Sequence, residues 1–80
     1  MPTQKPIRLP KLSASMTEAT IIAWLKKEGE HIRKGEPIAQ IETDKAAGEL
    51  ESPEEGVLIA IRQDAGARVP VNTIIAFVEA

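Results

Sequence analysis

The strongest constraint in this sequence is that it repeats itself. Displaced by 37 positions, Glu18 falls on Glu55, Ile21 on Leu58, Ile22 on Ile59, Ala23 on Ala60 and Trp24 on Ile61. The register continues without a gap: Gly29 meets Gly66, Ile32 meets Val69, Gly35 meets Asn72, Ile38-Ala39 meets Ile75-Ala76, Ile41 meets Val78 and Glu42 meets Glu79. The matched positions are mainly apolar residues and turn formers, which a backbone needs and chemistry rarely does. Eighty residues therefore make one domain built from two similar halves.

The repeat also decides between helix and strand. Alone, Ser15-Met16-Thr17-Glu18 ahead of an apolar run reads as a helix capping box. Its counterpart is Ser52-Pro53-Glu54-Glu55-Gly56 followed by Val57-Leu58-Ile59-Ala60-Ile61, a short β-branched run behind Pro and Gly. If the halves share a fold, residues 20–25 form a strand too. Further strands are predicted at Ile7–Leu9, Ile38–Glu42, Ala46–Glu51 and Ile74–Glu79, with turns at Glu28-Gly29, Lys34-Gly35, Glu55-Gly56, Ala65-Gly66 and Val71-Asn72. Asn72 in the place of Gly35 is consistent, since Asn tolerates positive φ better than most residues. The expected architecture is all-β: two similar β-units packed face to face, a small sandwich or flattened barrel with a pseudo-twofold axis. Residues 1–6 are expected to form a flexible N-terminal extension.

Composition removes many functions. There is no cysteine, hence no disulfide scaffold, thiolate metal site or thiol nucleophile, and one histidine, His31, cannot build a multi-histidine zinc site. Ten Lys+Arg against twelve Asp+Glu give no basic footprint for nucleic acid, and aromatics at 2% leave little to stack bases on. The longest apolar run, Ile21–Leu25, is far too short to span a membrane, and no apolar stretch follows Met1–Lys5 as a signal peptide requires. Ser13, Ser15 and Ser52 sit in no nucleophile elbow. Lys34-Gly35-Glu36 lacks the second glycine and the hydroxyl of a phosphate loop.

One residue stands apart. Between Gly35 and Ile61 the sole basic side chain is Lys45, set among Glu42, Asp44, Glu49, Glu51, Glu54 and Glu55. It falls where the halves join, in the polar stretch Glu42-Thr43-Asp44-Lys45, which a chain reversal would place at an exposed hairpin tip. A solubilising lysine is the ordinary reading of such a residue. The alternative is a long accessible amine on a rigid base, suited to covalent modification.

Glu42-Thr43-Asp44-Lys45-Ala46 resembles the attachment motif of lipoyl domains in 2-oxo acid dehydrogenase complexes. The resemblance runs over nearly the whole chain. It includes Leu9-Pro10-Lys11-Leu12-Ser13, Met16-Thr17-Glu18, Trp24–Glu30, the spacing of Gly29, Ile32, Ile38 and Ile41 before the lysine, and Leu50, Gly56, Leu58, Val69-Pro70-Val71 and Ile75–Glu79 after it. Two positions depart from the family pattern, Ala19 and Asn72, where glycine is usual. Biotin-carrying domains share the fold but resemble Met-Lys-Met at the tip, so Asp44-Lys45-Ala46 favours lipoate.

The resemblance implies a single lipoyl carrier domain over residues 1–80, with two four-stranded antiparallel sheets in a barrel-sandwich hybrid. It implies no catalytic residues and no metal. Lipoate would be amide-linked to Lys45, with Glu42, Thr43, Asp44 and Ala46 as flanking recognition residues. The partners implied are a lipoate ligase or lipoyl transferase, a thiamine-diphosphate decarboxylase, an acyltransferase catalytic domain and dihydrolipoamide dehydrogenase, with neither nucleic acid nor membrane. The parent would be a dihydrolipoamide acyltransferase of a pyruvate or acetoin dehydrogenase complex, with this domain N-terminal in it. Its compartment would be the bacterial cytoplasm, or the mitochondrial matrix in a eukaryote. Two other readings stand beside this one: a biotinyl carrier of a carboxylase, and an unmodified module whose acidic hairpin docks a basic partner.

Overall fold

A computed structural model describes residues 3–80. The described chain is all-β, with eight strands: β1 (Gln4–Arg8), β2 (Glu18–Trp24), β3 (His31–Ile32), β4 (Pro37–Glu42), β5 (Ala47–Glu51), β6 (Gly56–Ile61), β7 (Arg68–Pro70) and β8 (Ile74–Glu79). They form two four-stranded antiparallel sheets, ordered β1-β8-β6-β3 and β5-β4-β2-β7. The body is a sandwich of two sheets and not a closed barrel.

The repeat is visible in that order. Exchanging β1 with β5, β2 with β6, β3 with β7 and β4 with β8 converts one sheet into the other. The halves are thus related by the expected pseudo-twofold axis, but they are not separate units packed face to face. Each sheet takes two strands from each half, because nearly every connection crosses to the opposite sheet. Hydrophobic pattern says which side of a strand is buried; it is silent about which neighbour the strand takes.

The symmetry extends to the irregularities. The β2–β4 ladder shifts register between Ile21 and Ala23, and the β6–β8 ladder shifts between Leu58 and Ala60. These matching bulges turn Ile22 outward, where it is 46% exposed despite lying in an apolar run. The core is built from the matched residues themselves: Ile21 and Leu58, Ile32 and Val69, Ile38 and Ile75, Ile41 and Val78 are all buried. Trp24 is half-buried against this cluster, and its indole N–H donates to the Gln63 carbonyl at 2.8 Å, tying one half to the other.

Two short strands, β3 and β7, escape a search for apolar runs. Each carries one buried residue, Ile32 and Val69. The expectation of a flexible extension over 1–6 also needs correction. Met1 and Pro2 lie outside the described residues, but Gln4, Lys5 and Pro6 pair with Glu79, Val78 and Phe77 in β1. Pro6 looks like a strand breaker, yet β1 is an edge strand and its missing N–H costs no ladder bond on the open side.

The two departures from the family pattern are accommodated differently. Asn72 adopts φ 74°, the only non-glycine residue at positive φ among those described. Ala19 is buried in β2 opposite Val69. Its counterpart Gly56 has no such room: a Cβ there would press on the Glu79 carbonyl oxygen and lie 2.8 Å from Val78 Cγ1.

Candidate functional site

Of the connections between consecutive strands, only β4 to β5 stays within one sheet. That connection carries Lys45. The β4–β5 ladder ends at Glu42 opposite Ala47, and the Thr43 N–H then donates to the Ala46 carbonyl at 2.7 Å. The reversal is thereby reduced to Asp44 and Lys45.

Two-residue hairpins ordinarily place a central residue at positive φ, which matches their twist to that of the strands. Asp44 and Lys45 both lie outside that region. No backbone carbonyl among the described residues accepts from the Ala46 N–H; the Thr43 hydroxyl accepts instead, at 3.1 Å. The same oxygen lies 3.3 Å from the Lys45 N–H, and the hydroxyl donates to the Ala46 carbonyl at 3.1 Å. Thr43 thus locks the turn from within.

Lys45 is exposed, and its ammonium pairs with no carboxylate among the described residues. Lys5 and Lys26, by contrast, pair with Glu54 at 3.3 Å and Glu36 at 3.1 Å. Asp44, Ala46 and Glu42 are exposed beside Lys45, and Thr43 is half-buried. All five residues expected at the site are therefore together at one tip.

What faces the tip is less legible in the sequence. The β1–β2 loop is longer than its counterpart between β5 and β6, and it shares a groove of about 510 Å³ with the hairpin. Ser13, Ser15 and Thr17 line it from the loop, Thr20 and Arg68 from β2 and β7. Met16, 5% exposed, anchors the loop, and its Sδ accepts from the Leu12 N–H at 3.2 Å. Arg68 is held by Glu18 at 2.6 Å. The available signal was the greater number of residues between the first predicted strand and Glu18 than between Ala46–Glu51 and Glu55.

The opposite tip holds Thr3 and Ala80. Thr3 and Ala80 pair through two backbone bonds, 3.2 and 3.0 Å, at the position equivalent to Thr43 and Ala46. β1 and β5 approach at their far ends, where Arg8 and Glu51 line one groove. Their beginnings, Thr3 and the lysine hairpin, consequently point apart along a body 40 Å long and about 20 Å wide.

Residues 5–78 match the family profile described as Biotin-requiring enzyme (Biotin_lipoyl). The chain belongs to this biotin/lipoyl family. Among family relatives, it is 46% identical over 68 residues to the dihydrolipoyllysine-residue acetyltransferase component of pyruvate dehydrogenase complex of Mycobacterium bovis, covering 85% of this chain and 12% of that protein. It is 53% identical over 74 residues to the protein of that name in Rickettsia bellii, covering 89% of this chain and 18% of the relative. The chain thus spans less than a fifth of the length of these relatives. The solved lipoyl domain of the 2-oxoglutarate dehydrogenase complex from Azotobacter vinelandii superposes with a TM-score of 0.69 at 31% identity, over 89% of this chain and 90% of that one. The biotin/lipoyl domain described here is a lipoyl domain, a carrier unit with the fold the sequence implied.

Proposed function

We propose that Lys45 carries lipoate and that the domain presents it within a pyruvate dehydrogenase complex. The carrying observation is an exposed, unpaired lysine at the apex of the one tight hairpin, in a chain whose relatives are named for a dihydrolipoyllysine residue. The residues fit the group: the amine has no ion pair among the described residues, and Asp44 and Ala46 add little bulk beside it. Loading would join Lys45 Nζ to the lipoate carboxyl as an amide, the nitrogen giving up a proton to solvent and the group that activated the carboxyl leaving with the electron pair of its bond. Once attached, lipoate supplies a dithiolane able to carry an acyl group and two electrons.

The chain's own part is presentation. The hairpin fixes where the arm begins, and Thr3 and Ala80 lie at the remote tip, away from it. Tethering raises the effective concentration of the arm at each partner. Those partners are the ligase or transferase that loads Lys45, the thiamine-diphosphate decarboxylase, the acyltransferase domain of the parent and dihydrolipoamide dehydrogenase. Glu42, Thr43, Asp44 and Ala46 are the flanking recognition residues, Thr43 from within the turn. Absence of cysteine is compatible with this work, since no protein thiol competes with the dithiol for exchange. The compartment is the bacterial cytoplasm or the mitochondrial matrix, an Arabidopsis thaliana relative being named as mitochondrial.

The test is to offer the lipoylated domain to the decarboxylase of a pyruvate dehydrogenase complex with either pyruvate or 2-oxoglutarate. A mass gain of one acetyl group with pyruvate alone is expected. No gain with pyruvate contradicts the proposal. Biotin on the same lysine is the competing reading, and a biotin ligase that loads Lys45 while lipoate ligase does not would establish it.

A further inference from the structure

We propose that Thr43 is a positioning residue for the acylation of Lys45, acting through the shape of the turn and not by touching the incoming group. The inference rests on Lys45 being the attachment lysine.

The two ends of the molecule make the comparison. Under the pseudo-twofold relation Thr43 corresponds to Ala80, and Ala46 corresponds to Thr3. Thr3 and Ala80 close with both backbone bonds, N–H to C=O in each direction. At the hairpin only one of the two forms, from the Thr43 N–H to the Ala46 carbonyl. In this reversal through Asp44 and Lys45, which uses no positive φ, the other does not form. The Thr43 hydroxyl replaces it, accepting from Ala46 and facing the Lys45 N–H while donating to the Ala46 carbonyl.

Without that oxygen the Lys45 and Ala46 N–H groups turn to water, and the backbone bond from the Thr43 N–H to the Ala46 carbonyl is left to hold the turn. The β-branched side chain strengthens the effect, because restricted χ1 freedom keeps the hydroxyl aimed inward. Thr43 is half-buried while Asp44, Lys45 and Ala46 are exposed, so its oxygen faces the turn and leaves the outer surface to the lysine. A loosened turn presents Lys45 correctly only part of the time, and apparent affinity falls by that fraction.

The test uses Thr43→Val, Thr43→Ala and Thr43→Ser, with amide hydrogen exchange and ligase kinetics followed by intact mass, using lipoate and ATP. In Thr43→Val the Lys45 and Ala46 amides are expected to exchange about tenfold faster, reporting local opening. The ligase KM is expected to rise measurably, by less than that factor, with kcat near the parent value. Thr43→Ala repeats the result should Val disturb the strand, and Thr43→Ser restores both readouts. Faster exchange with unchanged KM overturns the proposal, as does a Ser variant with protected amides that is loaded as poorly as Val. Failure of the parent itself to be loaded rejects Lys45 as the attachment residue, a different result from either.

Discussion

Gly35 and Asn72, 37 positions apart, occupy equivalent turns in the same left-handed conformation, at φ 87° and φ 74°. The first turn precedes β4 and the second precedes β8. Ala in this conformation costs roughly 1–2 kcal/mol, whereas Gly adopts it freely. Asn72→Ala is therefore expected to lower unfolding free energy in urea by about 1–2 kcal/mol. Asn72→Gly should fall within about 0.5 kcal/mol of the parent. Equal losses for Ala and Gly would mean that the Asn72 side chain, and not its φ, matters there.

Gly56 opens β6 against the end of β8, and Gly48 lies in the edge strand β5 next to the lysine turn. A Cβ at Gly56 meets the Glu79 carbonyl and Val78, while at Gly48 nothing lies within 4 Å. Gly56→Ala should destabilise by about 1–3 kcal/mol through overpacking. Gly48→Ala should stay within about 0.5 kcal/mol. Thermal unfolding of the two variants side by side checks the contrast.

Glu36 gives the fold a pH dependence of known sign. Its carboxylate accepts from the Arg33 N–H at 3.0 Å and pairs with Lys26 at 3.1 Å, and these hold its pKa below the ordinary value, the backbone bond contributing most. The stabilisation is present above the pKa of the unfolded chain and is lost as pH falls through the lower folded value. Glu36→Gln should accordingly unfold at a lower temperature than the parent near neutrality. The gap should close on acidification below the usual carboxylate range. A gap that persists unchanged in acid would assign the effect to packing and not to charge.

Position, more than local charge, should select the lysine. The double variant Asp44→Lys with Lys45→Asp keeps composition and net charge while moving the amine one place along a two-residue reversal. Exposed ion pairs contribute only about 0–1 kcal/mol, so the fold should be retained. Ligase loading measured by intact mass should nevertheless fall to a small fraction of the parent rate. Loading at the parent rate would show that the ligase reads the composition of the loop.

Much of this was legible in the sequence, for identifiable reasons. The matched pairs Ile21 and Leu58, Ile38 and Ile75, and Ile41 and Val78 announce a duplicated core, and all six are buried. Lys45 is legible because it stands at the junction of the halves, which the topology makes the one same-sheet turn. The interleaving of the halves was not legible, since burial alternation fixes a strand's face and not its neighbour. β3 and β7 are too short to carry a pattern, and Pro6 hid the beginning of β1, of which only the end was expected, at Ile7–Leu9. The part played by Thr43 depends on a backbone bond that does not form at Ala46, which only coordinates disclose.

The most direct test of the account is the intact mass of the parent and of Lys45→Arg after incubation with lipoate ligase, lipoate and ATP. Arginine keeps the charge but its guanidinium stays protonated and cannot accept an acyl group. The parent should gain the mass of one lipoyl group, and Lys45→Arg, equally folded, should gain none. A lipoyl group on Lys45→Arg would place attachment on Lys5, Lys11, Lys26, Lys27 or Lys34 and contradict the account.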